Sequence, residues 1–129
     1  MENSFGQFIS EKRKAANITL RRFAAIIGIA PAYLSDIEKG NRYPPDREKL
    51  DEMAKALNLP QQEIDLMYDL AAAGRENGIS PDLPEYVMKT DKCRVALRLA
   101  REKGATDEDW QKVIDLLNHN GNTRLNPKS

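Results

Sequence analysis

Several residue types are scarce in this chain of 129 residues. It contains one cysteine, Cys93, and one histidine, His119, so it can form neither an intramolecular disulfide nor a cysteine-rich zinc site. A lone cysteine is typical of proteins in a reducing compartment, and we predict a cytoplasmic location. Aromatic residues make up only 6% of the chain, β-branched residues are also few, and helix-forming residues abound. The composition therefore predicts an all-α fold.

Long hydrophobic runs are absent as well. The longest apolar run, residues 23–30, has eight residues, whereas a membrane-spanning helix needs about 20. The chain also does not begin with the charged and apolar segments of a secretory signal. We therefore expect a soluble, intracellular protein with no membrane partner.

An overall excess of basic residues is missing too, because 20 Lys and Arg balance 20 Asp and Glu. The charges are nevertheless distributed unevenly along the chain. Residues 1–50 carry nine basic and six acidic residues, residues 51–70 one basic and five acidic, and residues 71–129 ten basic and nine acidic. A modest positive charge therefore lies in the N-terminal part, where a nucleic-acid partner would be expected to bind.

No arrangement of residues typical of an active site is present in the sequence. Cys93 has no histidine near it in sequence, and His119 lies in a polar C-terminal stretch. There is no phosphate-binding glycine loop and no spacing of metal ligands. We predict that the chain is not an enzyme and needs no cofactor or metal.

Five amphipathic helices are predicted in the first part of the chain, from apolar residues at helical spacing and from end signals. They cover residues 5–16, then run from the cap Thr19 to Gly28, from Pro31 to about Lys39, from the cap Asp46 onward, and from Leu59-Pro60 to Gly74. Residues 1–73 are predicted to form one domain. Residues 74–83, which are rich in glycine and proline, are predicted to be a linker.

A short helical extension is predicted for residues 84–118. Asp91 caps one helix that runs to about Lys103, and Thr106 with Asp109 resembles a capping box that opens a second. The second helix carries an apolar stripe made of Trp110, Val113, Ile114 and Leu117. About 40 residues are too few to build a core, so this stripe packs either on the first domain or on another chain. Residues 119–129 are predicted to be a disordered tail.

The segment Thr19 to Gly40, TLRRFAAIIGIAPAYLSDIEKG, has the spacing of a helix-turn-helix motif. Ala24 is small enough for two helices to cross closely, and Gly28 can take the positive φ of the turn. Leu34 and Ile37 would hold the second helix to the core. With these residues and the pattern that ends in Glu38, residues 5–73 resemble the phage-repressor/Cro (XRE) family, which implies a five-helix repressor-like domain.

The resemblance implies that the helix starting at Pro31 lies in the major groove of double-stranded DNA. Its groove-facing positions would be Pro31, Ala32, Tyr33, Ser35 and Asp36. The residues expected to bind DNA beside the groove, near the phosphate backbone, would be Arg21, Arg22, Lys39, Asn41 and Arg42. The roles of two of these residues stay open. Tyr33 either contacts DNA or packs on the fourth helix. Asp36 either accepts a hydrogen bond from cytosine N4, weakens binding to incorrect DNA sequences by repulsion, or has no role. Leu20 and Ala32 replace the long amides common in this family, which predicts sparse base contacts.

The resemblance also implies an ion pair between Arg13 and Glu38, which would tie the first helix to the end of the recognition helix. Its role would be structural. If the pair is buried, removing either partner should destabilise the fold and weaken DNA binding only indirectly.

The sequence thus predicts a transcriptional regulator, in particular a repressor, that binds a pseudo-palindromic operator as a homodimer. The alternative is an antitoxin-like interaction module whose C-terminal helices bind a second protein and whose helix-turn-helix serves autoregulation. A weaker third possibility is a sensor that binds a small ligand between the C-terminal helices.

Overall fold

The computed structural model describes residues 4–75 and 78–125 and divides the chain into two compact units, Met1–Tyr86 and Val87–Ser129. Within the described ranges the secondary structure is entirely helical, so the all-α prediction is confirmed. The helices are α1 (Phe5–Ala15), α2 (Leu20–Ile27), α3 (Pro31–Glu38), α4 (Arg47–Ala56), α5 (Gln61–Ala73), α6 (Pro84–Lys89), α7 (Asp91–Lys103) and α8 (Asp107–Leu125).

The ends of the first helices follow from local capping chemistry. Thr19 Oγ1 accepts a hydrogen bond from the backbone N–H of Arg22 at 3.1 Å, and Asp46 Oδ1 accepts one from Lys49 N–H at 3.2 Å. Gly28 ends α2 with φ of 74°, a left-handed conformation that glycine adopts without steric cost. The predicted caps at Thr19 and Asp46 and the predicted stop at Gly28 are confirmed.

The core of the first unit is built from one apolar face of each of its first five helices. The large side chains with almost no exposed surface are Ile9 of α1, Phe23 and Ile27 of α2, Leu34 and Ile37 of α3, Leu50 and Met53 of α4, and Met67 of α5. Helix α2 packs on α3 and α4, and α1 packs on α3 and α5. Burying each such side chain contributes roughly 1.5–3 kcal/mol, so the position of α3 is set by the core of the whole unit.

A hydrogen bond between α4 and α5 supports this core on the side of Tyr68. The Tyr68 hydroxyl donates to Asp51 Oδ1. Burial raises the pKa of Tyr68 above its ordinary value, and the carboxylate of Asp51 raises it further. Tyr68 therefore stays protonated at neutral pH and remains a donor.

The described residues of the predicted linker, 74–75 and 78–83, belong to the first unit. Ser80 is buried and its hydroxyl donates to Asp69 on α5. The Arg75 guanidinium carbon lies 4.2 Å from the centre of the Tyr43 ring, and its Nη2 donates to the Pro44 carbonyl at 3.4 Å. These contacts attach the segment after α5 to the first unit as far as α6.

The second unit consists largely of α7 and α8, joined by a turn at Gly104, whose φ is 70°. Thr106 N–H donates to Asp109 Oδ2 at 3.0 Å and Asp109 N–H donates to Thr106 Oγ1 at 3.2 Å, which confirms the predicted capping box. None of residues 87–120 is buried. This unit therefore lacks an apolar core within its described side chains.

Two details of the second unit differ from the sequence expectations. Asp91 is the first residue of α7, Thr90 occupies the cap position, and the Asp91 carboxylate pairs with Arg94 instead of the helix backbone. Helix α8 continues to Leu125, so residues 119–125 are helical although the sequence predicts a disordered tail there. Extending an existing helix costs far less than starting one, so α8 continues through Gly121 although glycine disfavours a helix interior. Residues 126–129 of that tail lie outside the described residues.

None of the described helices is both long enough and apolar enough to cross a lipid bilayer.

Candidate nucleic-acid interface

Helix α3 has an inner face in the core and an outer face at the protein surface. Leu34 and Ile37 are buried, whereas Pro31 and Ala32 are exposed. The remaining predicted groove-facing residues, Tyr33, Ser35 and Asp36, are half-buried. The residues with which the sequence predicts base contacts are therefore all at least partly accessible.

Basic side chains lie near α3 in the sequence and are open to solvent. Arg21 and Arg22 are exposed in the first turn of α2, where they line a shallow groove with Thr19, Ala25 and Ile26. Lys39, Asn41 and Arg42 are exposed directly after α3. The start of α2 attracts anions through its helix dipole as well, because the first N–H groups point outward there.

Arg42 folds back over the outer face of α3. Its guanidinium carbon lies 5.3 Å from the centre of the Tyr33 ring, and its Nε lies 3.8 Å from Asp36 Oδ2. The fold-back is set by the backbone, since Gly40 has φ of 82° and Asn41 N–H donates to the Asp36 carbonyl at 2.8 Å. Three predicted contact residues, Tyr33, Asp36 and Arg42, are thereby brought together in one cluster.

Tyr33 lies between the core of the first unit and the outer face of α3. Its ring is half-buried and packs against the core of the first unit. The same ring also supports the guanidinium of Arg42 at the surface. Its ring therefore joins the core to the outer face of α3.

A buried ion pair fixes the end of α3 to α1. Arg13 Nε lies 2.8 Å from Glu38 Oε2 and Arg13 Nη2 lies 2.9 Å from Glu38 Oε1, so the pair is bidentate. Arg13 Nη1 also donates to the Ile18 carbonyl at 2.9 Å. The side chains are only 9% and 8% exposed. Hydrogen bonding to Glu38 raises the pKa of Arg13 above its ordinary value, because the carboxylate favours the charged guanidinium.

Two further residues that position the motif carry no clear signal in the sequence. A Cβ atom on Gly6 would lie 2.4 Å from the Ile37 carbonyl oxygen, so only glycine allows α1 to approach the end of α3 this closely. Lys49 Nζ donates to the Ile27 carbonyl at 2.7 Å and thereby satisfies the end of α2. A glycine inside an apolar helix pattern is the one hint for Gly6, and Lys49 has none.

Among the side chains that the structure describes, no group of three or more His, Cys, Asp or Glu residues is arranged to hold a metal ion.

Comparison with known proteins gives a consistent assignment for the first unit. The helix-turn-helix family HTH_3 matches residues 9–64, which include α2, α3 and α4 complete. An uncharacterised HTH-type transcriptional regulator of Bacillus subtilis (strain 168), RghRB, is 31% identical over 81 residues, covering 63% of this chain and 55% of that protein. The uncharacterised HTH-type transcriptional regulator Rv0474 of Mycobacterium tuberculosis is 35% identical over 59 residues, covering 46% of this chain and 41% of that protein.

Among solved structures, a complex of the SinR and SinI proteins aligns with a TM-score of 0.46 at 19% identity. The alignment covers 92% of this chain and 98% of that one. The chain matches only about half of the length of its curated relatives. The helix-turn-helix match and the observed packing of α2 on α3 agree with one another: residues 9–64 form a helix-turn-helix domain, which is similar to that of the HTH-type regulators named above.

Proposed function

We propose that this chain is a sequence-specific regulator of transcription that binds double-stranded DNA as a homodimer and acts as a repressor. The observation that carries the proposal is the accessible outer face of α3, which adjoins exposed cations in the segment that follows it. A bound protein represses by excluding the polymerase from its site, and this requires no further contact surface. A regulator of this kind works where the chromosome is, in the bacterial cytoplasm.

In this proposal α3 lies in the major groove, and α2 and the loop after α3 approach the phosphate backbone. Pro31 and Ala32 have apolar surfaces that suit thymine methyl groups, and Ser35 can donate or accept a hydrogen bond. Arg21, Arg22 and Lys39 supply charge to phosphates. Because the contact face has few long polar side chains, DNA shape contributes a larger share of the selectivity.

Selection from a library of random duplexes at moderate salt tests the proposal. The wild-type chain should enrich one motif with two inverted half-sites whose centres lie about one helical turn apart. Ala32→Glu should abolish enrichment because it places a negative charge on the exposed face of α3, whereas Ala32→Ser should keep the motif. Thermal unfolding of both variants checks that the fold is intact. If the wild-type chain enriches no sequence over the starting library, it is not a sequence-specific regulator.

The proposed dimer forms through the second unit, because that unit exposes apolar side chains that need a partner. Trp110, Val113, Ile114 and Leu117 of α8 are all exposed, with 37–59% of their surface open to solvent. Val95, Leu97 and Leu99 of α7 are exposed as well. Two helices without a buried residue among the side chains described, which end at residue 120, do not supply enough core to be stable by themselves.

Charge favours a second copy of the same chain as the partner. Helix α7 carries five basic and two acidic residues, whereas α8 carries four acidic and two basic residues. A two-fold axis can place α7 of one copy against α8 of the other, so that both contacts pair a basic helix with an acidic one. Joining two DNA-binding units in this way raises affinity for a palindromic site well above that of one unit.

Ile114→Asp tests the dimer. Sedimentation at micromolar concentration should give a dimer for the wild-type chain and a monomer for the variant, since a carboxylate would be buried at the interface. Gln111→Asp adds the same charge at an exposed polar position of α8 and should remain dimeric. A wild-type chain that sediments as a monomer contradicts the homodimer, and so does an Ile114→Asp variant that remains dimeric.

A further inference from the structure

We propose that Asp36 and Arg42 act as a single base-reading unit that selects a C·G base pair, with Arg42 as the counter-ion that lets the Asp36 carboxylate enter the major groove. This inference rests on the proposed function, since it concerns how the outer face of α3 reads DNA. It assigns one specificity-determining pair among the accessible residues of that face.

The pair exists in the free protein and is held in place from two sides. Asp36 Oδ2 lies 3.8 Å from Arg42 Nε, and the ring of Tyr33 lies beneath the guanidinium at 5.3 Å. The hydrogen bond from Asn41 N–H to the Asp36 carbonyl keeps the loop folded over the helix. Tyr33 is itself packed against the core, so the platform under Arg42 is fixed.

Both side chains remain accessible to a ligand. The Arg42 side chain is 58% exposed and the Asp36 side chain is 45% exposed. An ion pair this open contributes little to the stability of the folded protein in water. The energy of this contact is therefore not what holds the loop, and both groups can bind other partners while they stay adjacent.

A carboxylate alone on this face would oppose binding, because the groove is lined by phosphates of the same sign. The guanidinium next to it removes this net charge. When water is displaced from the interface, the attraction between the two groups strengthens because the effective dielectric constant falls. The contribution of Arg42 to DNA affinity thus depends on the presence of Asp36, whereas the contribution of an ordinary phosphate contact would not depend on it.

The hydrogen-bonding capacity of the pair defines the base pair that it fits. An ionised carboxylate only accepts hydrogen bonds, and a guanidinium only donates them. Guanine O6 and N7 and thymine O4 are acceptors, so they repel Asp36, whereas cytosine N4 and adenine N6 are donors. Cytosine N4 is the usual partner of Asp, and only the guanine paired with it offers two acceptors to a guanidinium, since the thymine paired with adenine offers O4 alone. The guanine of the same base pair offers O6 and N7 to Arg42. One C·G pair therefore satisfies both side chains at once.

Selection from random duplexes with Asp36→Asn tests the choice of base, since the amide has the same shape and no charge. The wild-type motif should contain a C·G pair in each half-site. In the variant, the preference for C·G over other base pairs should fall roughly tenfold at that position and stay unchanged at the others. An unchanged motif for Asp36→Asn overturns the inference and leaves the proposed function standing. If the wild-type chain selects no motif, the proposed function itself fails.

A double-mutant cycle on the selected duplex tests the role of Arg42. Arg42→Ala should weaken binding by a larger factor in the wild-type background than in the Asp36→Asn background, because the neutral amide needs no counter-ion. Lys39→Ala is the matched control, since it removes an exposed cation from the same region and should weaken binding equally in both backgrounds. Equal losses for Arg42→Ala in the two backgrounds would show that Arg42 is an independent phosphate contact and would overturn the inference.

Discussion

Replacing Glu38 with alanine should lower the free energy of unfolding by about 3–5 kcal/mol, because it leaves the buried guanidinium of Arg13 without its counter-ion. The pair is bidentate, nearly inaccessible to solvent and connects α1 to the last turn of α3. Urea-induced unfolding followed by circular dichroism measures the change. DNA binding should fall mainly because fewer molecules are folded, so the loss should be largely recovered at low temperature.

Two further variants test whether the loss of stability comes from the unpaired buried charge. Asp36→Ala removes the carboxylate of an exposed ion pair on the same helix and should change the unfolding free energy by at most about 1 kcal/mol. The double variant Arg13→Met with Glu38→Leu removes both charges and should recover most of the stability lost by Glu38→Ala. A Glu38→Ala protein as stable as Asp36→Ala would mean that the pair has no structural role.

Removing both Arg21 and Arg22 should produce the largest loss of DNA affinity. Each side chain is assigned to one phosphate, so a dimer would lose four such contacts. The slope of log K against log salt should then fall by about 3.6 in magnitude, and affinity at 0.15 M salt should drop roughly a thousandfold. The measurement is a salt titration of the affinity for the selected duplex, made with the wild-type chain and with the Arg21→Ala, Arg22→Ala variant.

The matched control for this experiment removes two exposed cations from other helices. Lys55 lies on α4 and Lys103 at the end of α7, and both are exposed. Their replacement by alanine changes the net charge of the chain by the same amount, so it corrects for long-range attraction to DNA. If the two double variants show the same salt dependence, Arg21 and Arg22 make no phosphate contacts.

The sequence predicts the first unit well where structure is decided locally. The caps Thr19 and Asp46 and the turn residue Gly28 each act within three or four residues of their own position, so their types suffice to place the helix ends. The burial of Leu34 and Ile37 follows from helical spacing in the same way. The orientation of α3 relative to the core is thus accessible from the sequence.

Features that depend on contacts between distant residues are harder to predict. The close approach of Gly6 to Ile37 and the hydrogen bond from Lys49 to Ile27 join residues that are 31 and 22 positions apart, and neither residue type reveals its partner. The folding of Arg42 over Tyr33 and Asp36 combines a loop conformation with packing of an aromatic ring. Composition and periodicity do not specify such three-body arrangements.

The end of α8 illustrates a different limit. The polar stretch after Leu117 has weak helix propensity, yet the helix reaches Leu125. Low propensity costs less than about 1 kcal/mol per residue, whereas starting a helix is the expensive step, and that step is already complete where α8 continues past Leu117. The boundaries of elements are therefore less predictable than their existence.

Cross-linking to 5-iodouracil tests most directly whether the outer face of α3 enters the major groove. The iodine replaces the thymine methyl group, which lies in that groove, and light then couples the base to an adjacent side chain. With the selected duplex, the cross-linked nucleotide should be found on the tryptic peptide of residues 23–39, which contains Tyr33. Nucleotide attached only to peptides of the second unit, in a complex that still binds the selected duplex, would contradict the account.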